Sequence, residues 1–152
     1  MLKVKNIDHV AIAVGDLDPA AMTLERLFGL AGGPPETVVD QKTDVLFLRV
    51  PAEPGDAPGP SGSASTTLEL CCPNGNQSLE RFITRRGPGL HHVCLEVDDL
   101  AGALTTLRSA QVPLIDETPR KGARGHLVAF IHPRATGGVL FELCQKVQGD
   151  SA

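Results

Sequence analysis

IDHVAIAVGDL at residues 7–17 and LHHVCLEVDDL at residues 90–100 align without a gap, placing His9 on His92, Asp16 on Asp99 and Leu17 on Leu100 at an offset of 83 positions. Self-similarity at such a distance marks a duplicated unit and constrains the fold more firmly than local propensity does. The register continues past the shared stretch. Leu17, Ala20, Ala21, Leu24 and Leu27 fall on Leu100, Ala103, Leu104, Leu107 and Ala110, all at helical i, i+3, i+4, i+7 spacing. Each half is therefore expected to open with a strand and then an amphipathic helix that turns those positions inward. Asp16 and Asp98 or Asp99 suit the N-caps, because their carboxylates accept hydrogen bonds from the unpaired first-turn N–H groups. Gly29 suits the end of the first helix, and Pro113 excludes helix soon after the second.

Extended segments are expected at 36–41, 44–50 and 66–72 in the first half, and at 112–116, 126–132 and 138–145 in the second. LELC at 68–71 resembles FELC at 141–144, now at an offset of 73, because the first half carries a longer insertion. That insertion, PAEPGDAPGPSGSAS at 51–65, has almost nothing apolar to bury and reads as a mobile surface loop. Residues 76–86 read as a connecting helix with Leu79, Phe82 and Ile83 inward. The fold expected is α+β, a single domain over 1–152 built of two tandem βαβββ modules at 5–73 and 88–146. The modules pair into a cupped, barrel-like mixed sheet around a metal site.

Composition narrows the function. The chain has 152 residues, 41% hydrophobic and 21% charged, which is ordinary for a globular protein with a real core. No apolar run approaches the roughly 20 residues of a membrane span, and Asp8 and His9 interrupt the N-terminal run, so a cytoplasmic location is expected. Net charge is −4 and the basic residues are scattered, which argues against a nucleic-acid partner. Cys71, Cys72, Cys94 and Cys144 show no CxxC spacing and lie in strand-like runs, so they read as reduced, packed thiols.

The duplication also pairs chemistry. His9 and Glu69 in one half match His92 and Glu142 in the other, on the first and last strand of each module. Alternation along a strand puts His9, Ala11 and Ala13 on the face opposite Val10, Ile12 and Val14, and turns His91 away from His92. Glu69 lies between Leu68 and Leu70, and Glu142 between Phe141 and Leu143. A carboxylate in so apolar a strand must be solvated, paired or bound to a cation. Two imidazoles and two carboxylates meeting about a pseudo-twofold axis suit Co, Mn, Fe, Ni or Zn with open water positions. His126 and His132 have no symmetric partner and fall outside this set.

IDHVAIAVGDL (7–17), GPGLHHVCLEVDDL (87–100), LIDETPRKGARGHLVAFIHP (114–133) and TGGVLFEL (136–143) together resemble the methylmalonyl-CoA epimerase family of the vicinal oxygen chelate superfamily. The resemblance covers nearly the whole chain, is strongest over 87–144 and fails over 51–65. It implies a divalent ion, Co2+ foremost, on His9, Glu69, His92 and Glu142, with Glu69 standing where family members carry Gln or Glu.

It further implies an isomerase that inverts C2 of an acyl-CoA thioester by removing a proton on one face and returning it on the other. Glu142 would be one proton-transfer group; the other falls near Asp44, with Asp40 its nearest rival. Arg120, Lys121 and Arg124 would meet the CoA nucleotide, and the turn at Thr136 and Gly137 would offer backbone N–H groups to a carboxylate. A homodimer is the family's common assembly. Two other readings suit the scaffold: a glyoxalase I-type lyase acting on a glutathione hemithioacetal or an extradiol-type dioxygenase, and a metal-free small-molecule-binding protein.

Overall fold

In the computed structural model, which describes residues 1–52 and 66–148, the two repeat stretches form β1 (Val4–Ala13) and, later in the chain, β6 (Gly89–Val97). Each runs into a capped helix. Asp16 accepts the N–H of Asp18 at 3.2 Å to start α1 (Leu17–Phe28), which stops at Gly29 in the left-handed region at φ 66°. Asp99, rather than Asp98, accepts the N–H of Gly102 at 2.9 Å to start α3 (Leu100–Ser109). Between the halves Asn76 caps α2 (Gln77–Arg86) through the N–H of Leu79. No helix among the described residues is long and apolar enough to cross a membrane.

The remaining strands are β2 (Ala31–Gly32), β3 (Glu36–Val38), β4 (Thr43–Arg49) and β5 (Thr67–Pro73) in the first half. The second half has β7 (Arg120–Lys121), β8 (Leu127–Ile131) and β9 (Leu140–Gln145). They join one mixed sheet in the order β2-β4-β5-β1-β6-β9-β8-β7, with β3 also on β4. The halves meet where β1 and β6 run antiparallel, and each first strand pairs parallel with its own module's last, β1 with β5 and β6 with β9. This is the curled half-barrel of the vicinal oxygen chelate fold.

The outer face of the sheet is covered by α1 and α3. Leu17 and Ala21 of α1 pack with Val14, Leu46, Leu48 and Leu70, and Leu100 and Leu104 of α3 pack with Val97, Ala129, Ile131 and Leu143. On the inner face Leu79 of α2 packs with Ala11, Ala13, Val38, Val45 and Cys71, so the alternation read from β1 holds along its second half. Among the described residues the four cysteines are free thiols.

Three expectations change. Residues 112–116 do not form a strand. Pro113 has no N–H for a ladder, the N–H groups of Ile115 and Asp116 both converge on the carbonyl of Phe130, and only an isolated bridge joins Leu114 to Ile131. The expected strand at 36–41 ends at Val38 and tightens into a single 3-10 turn over Val39–Gln41. Leu27, equivalent to a residue just beyond the end of α3, is 58% exposed. Of the expected loop at 51–65, residues 53–65 lie outside the described residues. The fate of the helical stripe is testable by urea unfolding. Leu104→Ala is expected to cost about 2–5 kcal/mol by leaving a core cavity, whereas Leu27→Ala should stay within about 0.5 kcal/mol.

Candidate metal centre

Four adjacent strands, β5, β1, β6 and β9, each contribute one donor residue to the inner face: Glu69, His9, His92 and Glu142. All four are buried, at 3–7% exposure. The register explains why they converge. Ala11 lies opposite both Glu69 and His92, and its repeat equivalent Cys94 lies opposite both Glu142 and His9. A small residue thus sits beneath each half of the site, leaving room for the larger side chains to meet above it.

His9 Nε2 is 3.3 Å from His92 Nε2 and 3.5 Å from both Glu69 Oε2 and Glu142 Oε1, while His92 Nε2 is 4.0 Å from an oxygen of each glutamate. Donors that share an ion at about 2.1 Å stand about 3 to 4.2 Å apart, so each of these separations is compatible with a shared cation, and the donors group as His9, Glu69 and His92 and as His9, Cys94 and Glu142. The electrostatics point the same way. Burial raises the pKa of Glu69 above the ordinary carboxylate value, with His9 opposing and Glu142 adding to the rise. Burial likewise raises that of Glu142, against a hydrogen bond from the Cys94 thiol. Burial, His9 and His91 lower the pKa of His92 well below the usual imidazole value, so its nitrogen is an available electron-pair donor. Two carboxylates this dry are stable as anions only beside a positive charge.

The symmetry extends further than the sequence reading took it. Phe47 of β4 and Phe130 of β8, again 83 positions apart, lie opposite Glu69 and Glu142 in the ladder and pack edge-on against His9 and His92 at 5.6 and 5.2 Å between ring centres. VLFL at 45–48 against VAFI at 128–131 carried that signal at the same offset. Two β-bulges are also equivalent. Asp8 is the extra residue between the pairs Ile7–Leu95 and His9–Cys94, and His91 the extra residue between Ala11–His92 and Ile12–Leu90. A bulge breaks strict alternation. His91 therefore does not turn away from His92 as expected; its Nδ1 lies 2.8 Å from Nδ1 of His92, and its ring packs on Phe82. Asp8, which the sequence reading passed over, places Oδ2 2.7 Å from Nδ1 of His9.

Two cavities flank the centre. The smaller is lined by His9, Glu69, Glu142, Asp8, Phe47 and Arg124, the larger, of about 540 Å³, by Glu69, His92, His91, Asp40, Thr43 and Phe130. The larger one also carries Lys42, Arg81 and Arg120 on its wall, of which the sequence reading had only Arg120.

Several expected site residues stand elsewhere. Asp44 lines neither cavity. It alternates with the inward Thr43 and Val45, shares the outer face with Leu46, and takes hydrogen bonds from Thr37 at 2.7 Å and Asn74 at 3.1 Å. Arg124 lines the smaller cavity, but its polar groups are committed to partners within the chain. It donates to Asp8 at 2.8 Å and lies over the Phe47 ring at 4.0 Å, while the carboxylate of Glu36 accepts its N–H and holds its backbone at φ 58°. Lys121 is exposed on the edge strand β7, away from both cavities. Thr136 bonds the carbonyls of Pro133 and Val139 and Gly137 turns at φ 75°, so this turn closes on itself and lines neither cavity.

Residues 8–130 match the model of the Glyoxalase/Bleomycin resistance protein/Dioxygenase superfamily. The chain is 35% identical over 142 residues to the mitochondrial methylmalonyl-CoA epimerase of Dictyostelium discoideum, covering 92% of this chain and 78% of that protein. It is 33% identical over 142 residues to an ethylmalonyl-CoA/methylmalonyl-CoA epimerase of Cereibacter sphaeroides, covering 91% and 96%. The crystal structure of methylmalonyl-CoA epimerase from Mycobacterium tuberculosis matches with a TM-score of 0.82 at 32% identity, over 97% of this chain and 93% of that one. With its duplicated sheet and its donors at the seam, this chain belongs to the glyoxalase/bleomycin resistance protein/dioxygenase superfamily.

Proposed function

We propose that the chain is an epimerase that interconverts the two configurations at C2 of methylmalonyl-CoA, with a divalent ion on His9, Glu69, His92 and Glu142 and cobalt as the preferred metal. The observation that carries this reading is the meeting of two buried imidazoles and two buried carboxylates beside a roomy cavity with a cationic wall. The epimerases that share about a third of its residues supply the substrate.

The C2 proton between a thioester and a carboxylate is weakly acidic, so its removal requires stabilisation of the charge that develops on the thioester oxygen. When bound, the ion supplies a Lewis acid for that oxygen. The protein's own part is positional. Lys42, Arg81 and Arg120 offer charge to the substrate's phosphates and carboxylate, and Arg120 is held in place by Asp116 at 3.2 Å and by the carbonyl of Asp40. Glu142 keeps the proton-transfer role. With Asp44 on the outer face, we assign the opposite proton transfer to its rival Asp40, which lines the larger cavity, and keep Glu69, where the family also carries Gln, as a metal donor.

Exchange of the C2 proton of methylmalonyl-CoA in deuterated water is expected with cobalt and absent after chelation. Turnover of the methylglyoxal-glutathione adduct in place of exchange would establish the lyase reading instead. Glu142→Gln, which keeps an oxygen donor, and Asp40→Asn are expected to lower turnover by about 10²- to 10⁴-fold, whereas Glu69→Gln, a residue the family also carries there, should retain turnover. Asp44→Asn should leave turnover unchanged while costing about 1–2 kcal/mol in unfolding. Full activity in Asp40→Asn together with loss in Glu69→Gln would move the second proton transfer to Glu69.

The raised carboxylates also set a pH dependence. Their folded pKa values exceed the unfolded ones, so the metal-free fold gains stability at acidic pH and loses it as pH rises through the raised values. A cation replaces the displaced protons. Cobalt is therefore expected to raise the melting temperature more at about pH 8 than at about pH 6, and calorimetry should detect proton release at the lower pH.

A further inference from the structure

The side of His9 that faces away from the donors is as constrained as the side that faces them. Its Nδ1 meets Oδ2 of Asp8 at 2.7 Å, and both side chains are under 5% exposed. Asp8 reaches this position only because the bulge in β1 turns it to the inner face with its neighbour. Two cations hold its carboxylate: Arg124 Nη2 at 2.8 Å and Lys146 Nζ at 3.4 Å. Arg124 comes from the 3-10 turn that precedes β8, so a segment of the second half braces a residue beside a donor of the first. In the second half the equivalent position is His91, which offers His92 a neutral ring instead of an anion.

A carboxylate against Nδ1 accepts a hydrogen bond from Nδ1–H and leaves the lone pair on Nε2, and a partner of this kind fixes both the tautomer and the ring angle of a metal ligand. We propose that Asp8 is a positioning residue of the metal centre: clamped by Arg124 and Lys146, it holds His9 as the Nδ1–H tautomer with Nε2 directed at the point shared by Glu69, His92 and Glu142. This rests on the four-donor metal reading and is independent of the reaction catalysed. The bracing also makes His9 the fixed corner of the site.

The test is cobalt affinity by calorimetry together with the ring 15N shifts of His9 in metal-free protein, where both tautomers can compete. Asp8→Ala is expected to weaken cobalt binding by about 10- to 100-fold and to abolish the pure Nδ1–H signature. Asp8→Asn, which keeps an acceptor, should restore part of that loss. Arg124→Gln, which leaves Asp8 in place but less restrained, should weaken binding by a smaller factor, and it keeps the test open if Asp8→Ala does not fold. Glu96→Gln provides the contrast. Glu96 is also buried and bound by Lys146, at 2.9 Å, but touches no donor, so this variant should lower thermal stability with cobalt affinity unchanged. Wild-type affinity in both Asp8→Ala and Arg124→Gln, or an equal loss in Glu96→Gln, would overturn the inference alone. Wild-type protein that binds no cobalt would overturn the four-donor reading beneath it.

Discussion

Two carboxylates in a dry interior are the constraint on which the rest of this molecule depends. An isolated buried carboxylate is costly, and a second one close by compounds the cost, so the fold can retain Glu69 and Glu142 only where positive charge or protons compensate. The sheet meets that demand by ordering its strands so that four neighbours each bring one donor. Ala11 and Cys94 follow from the same demand, since any bulkier residue at the crossing of three strands would occupy the space in which the donors meet.

Most of this was legible in the sequence because duplication makes position carry information. The strand-then-helix opening, both N-caps and the two histidines follow from the offset of 83, the two glutamates from the offset of 73, and the structure places all four side chains on the inner face within 4.0 Å of His9 or His92. What was lost was lost where the register stops being local. Alternation is a rule for unbroken strands, and the bulges at Asp8 and His91 suspend it at the two residues that precede the candidate ligand histidines. No single-sequence pattern announces a bulge, although the matching offset of Asp8 and His91 would have shown that both deviate together.

Asp44 and Arg124 failed for a different reason. Both were placed by the resemblance and by charge, and neither charge nor resemblance says which face a side chain takes. One residue of shift between Asp44 and Val45 is the difference between the outer face and the cup. Arg124 was read as a cation free for substrate because Asp8 was not yet known to be buried and in need of one. Lys42 and Arg81 were missed because they approach the larger cavity from a turn and a helix in the first half and the connector.

The seam between β1 and β6 has a consequence for how such a protein comes to exist and how far it can be rearranged. Either half alone carries one imidazole and one carboxylate, too few to retain an ion against water. A single module would need a second copy of itself to complete the set, and joining the two in one chain makes that encounter internal, with a high effective concentration. The order in which the halves are threaded matters less than the seam itself. A circularly permuted chain, or two chains exchanging modules, would rebuild the same four-sided grip as long as those two strands still meet antiparallel.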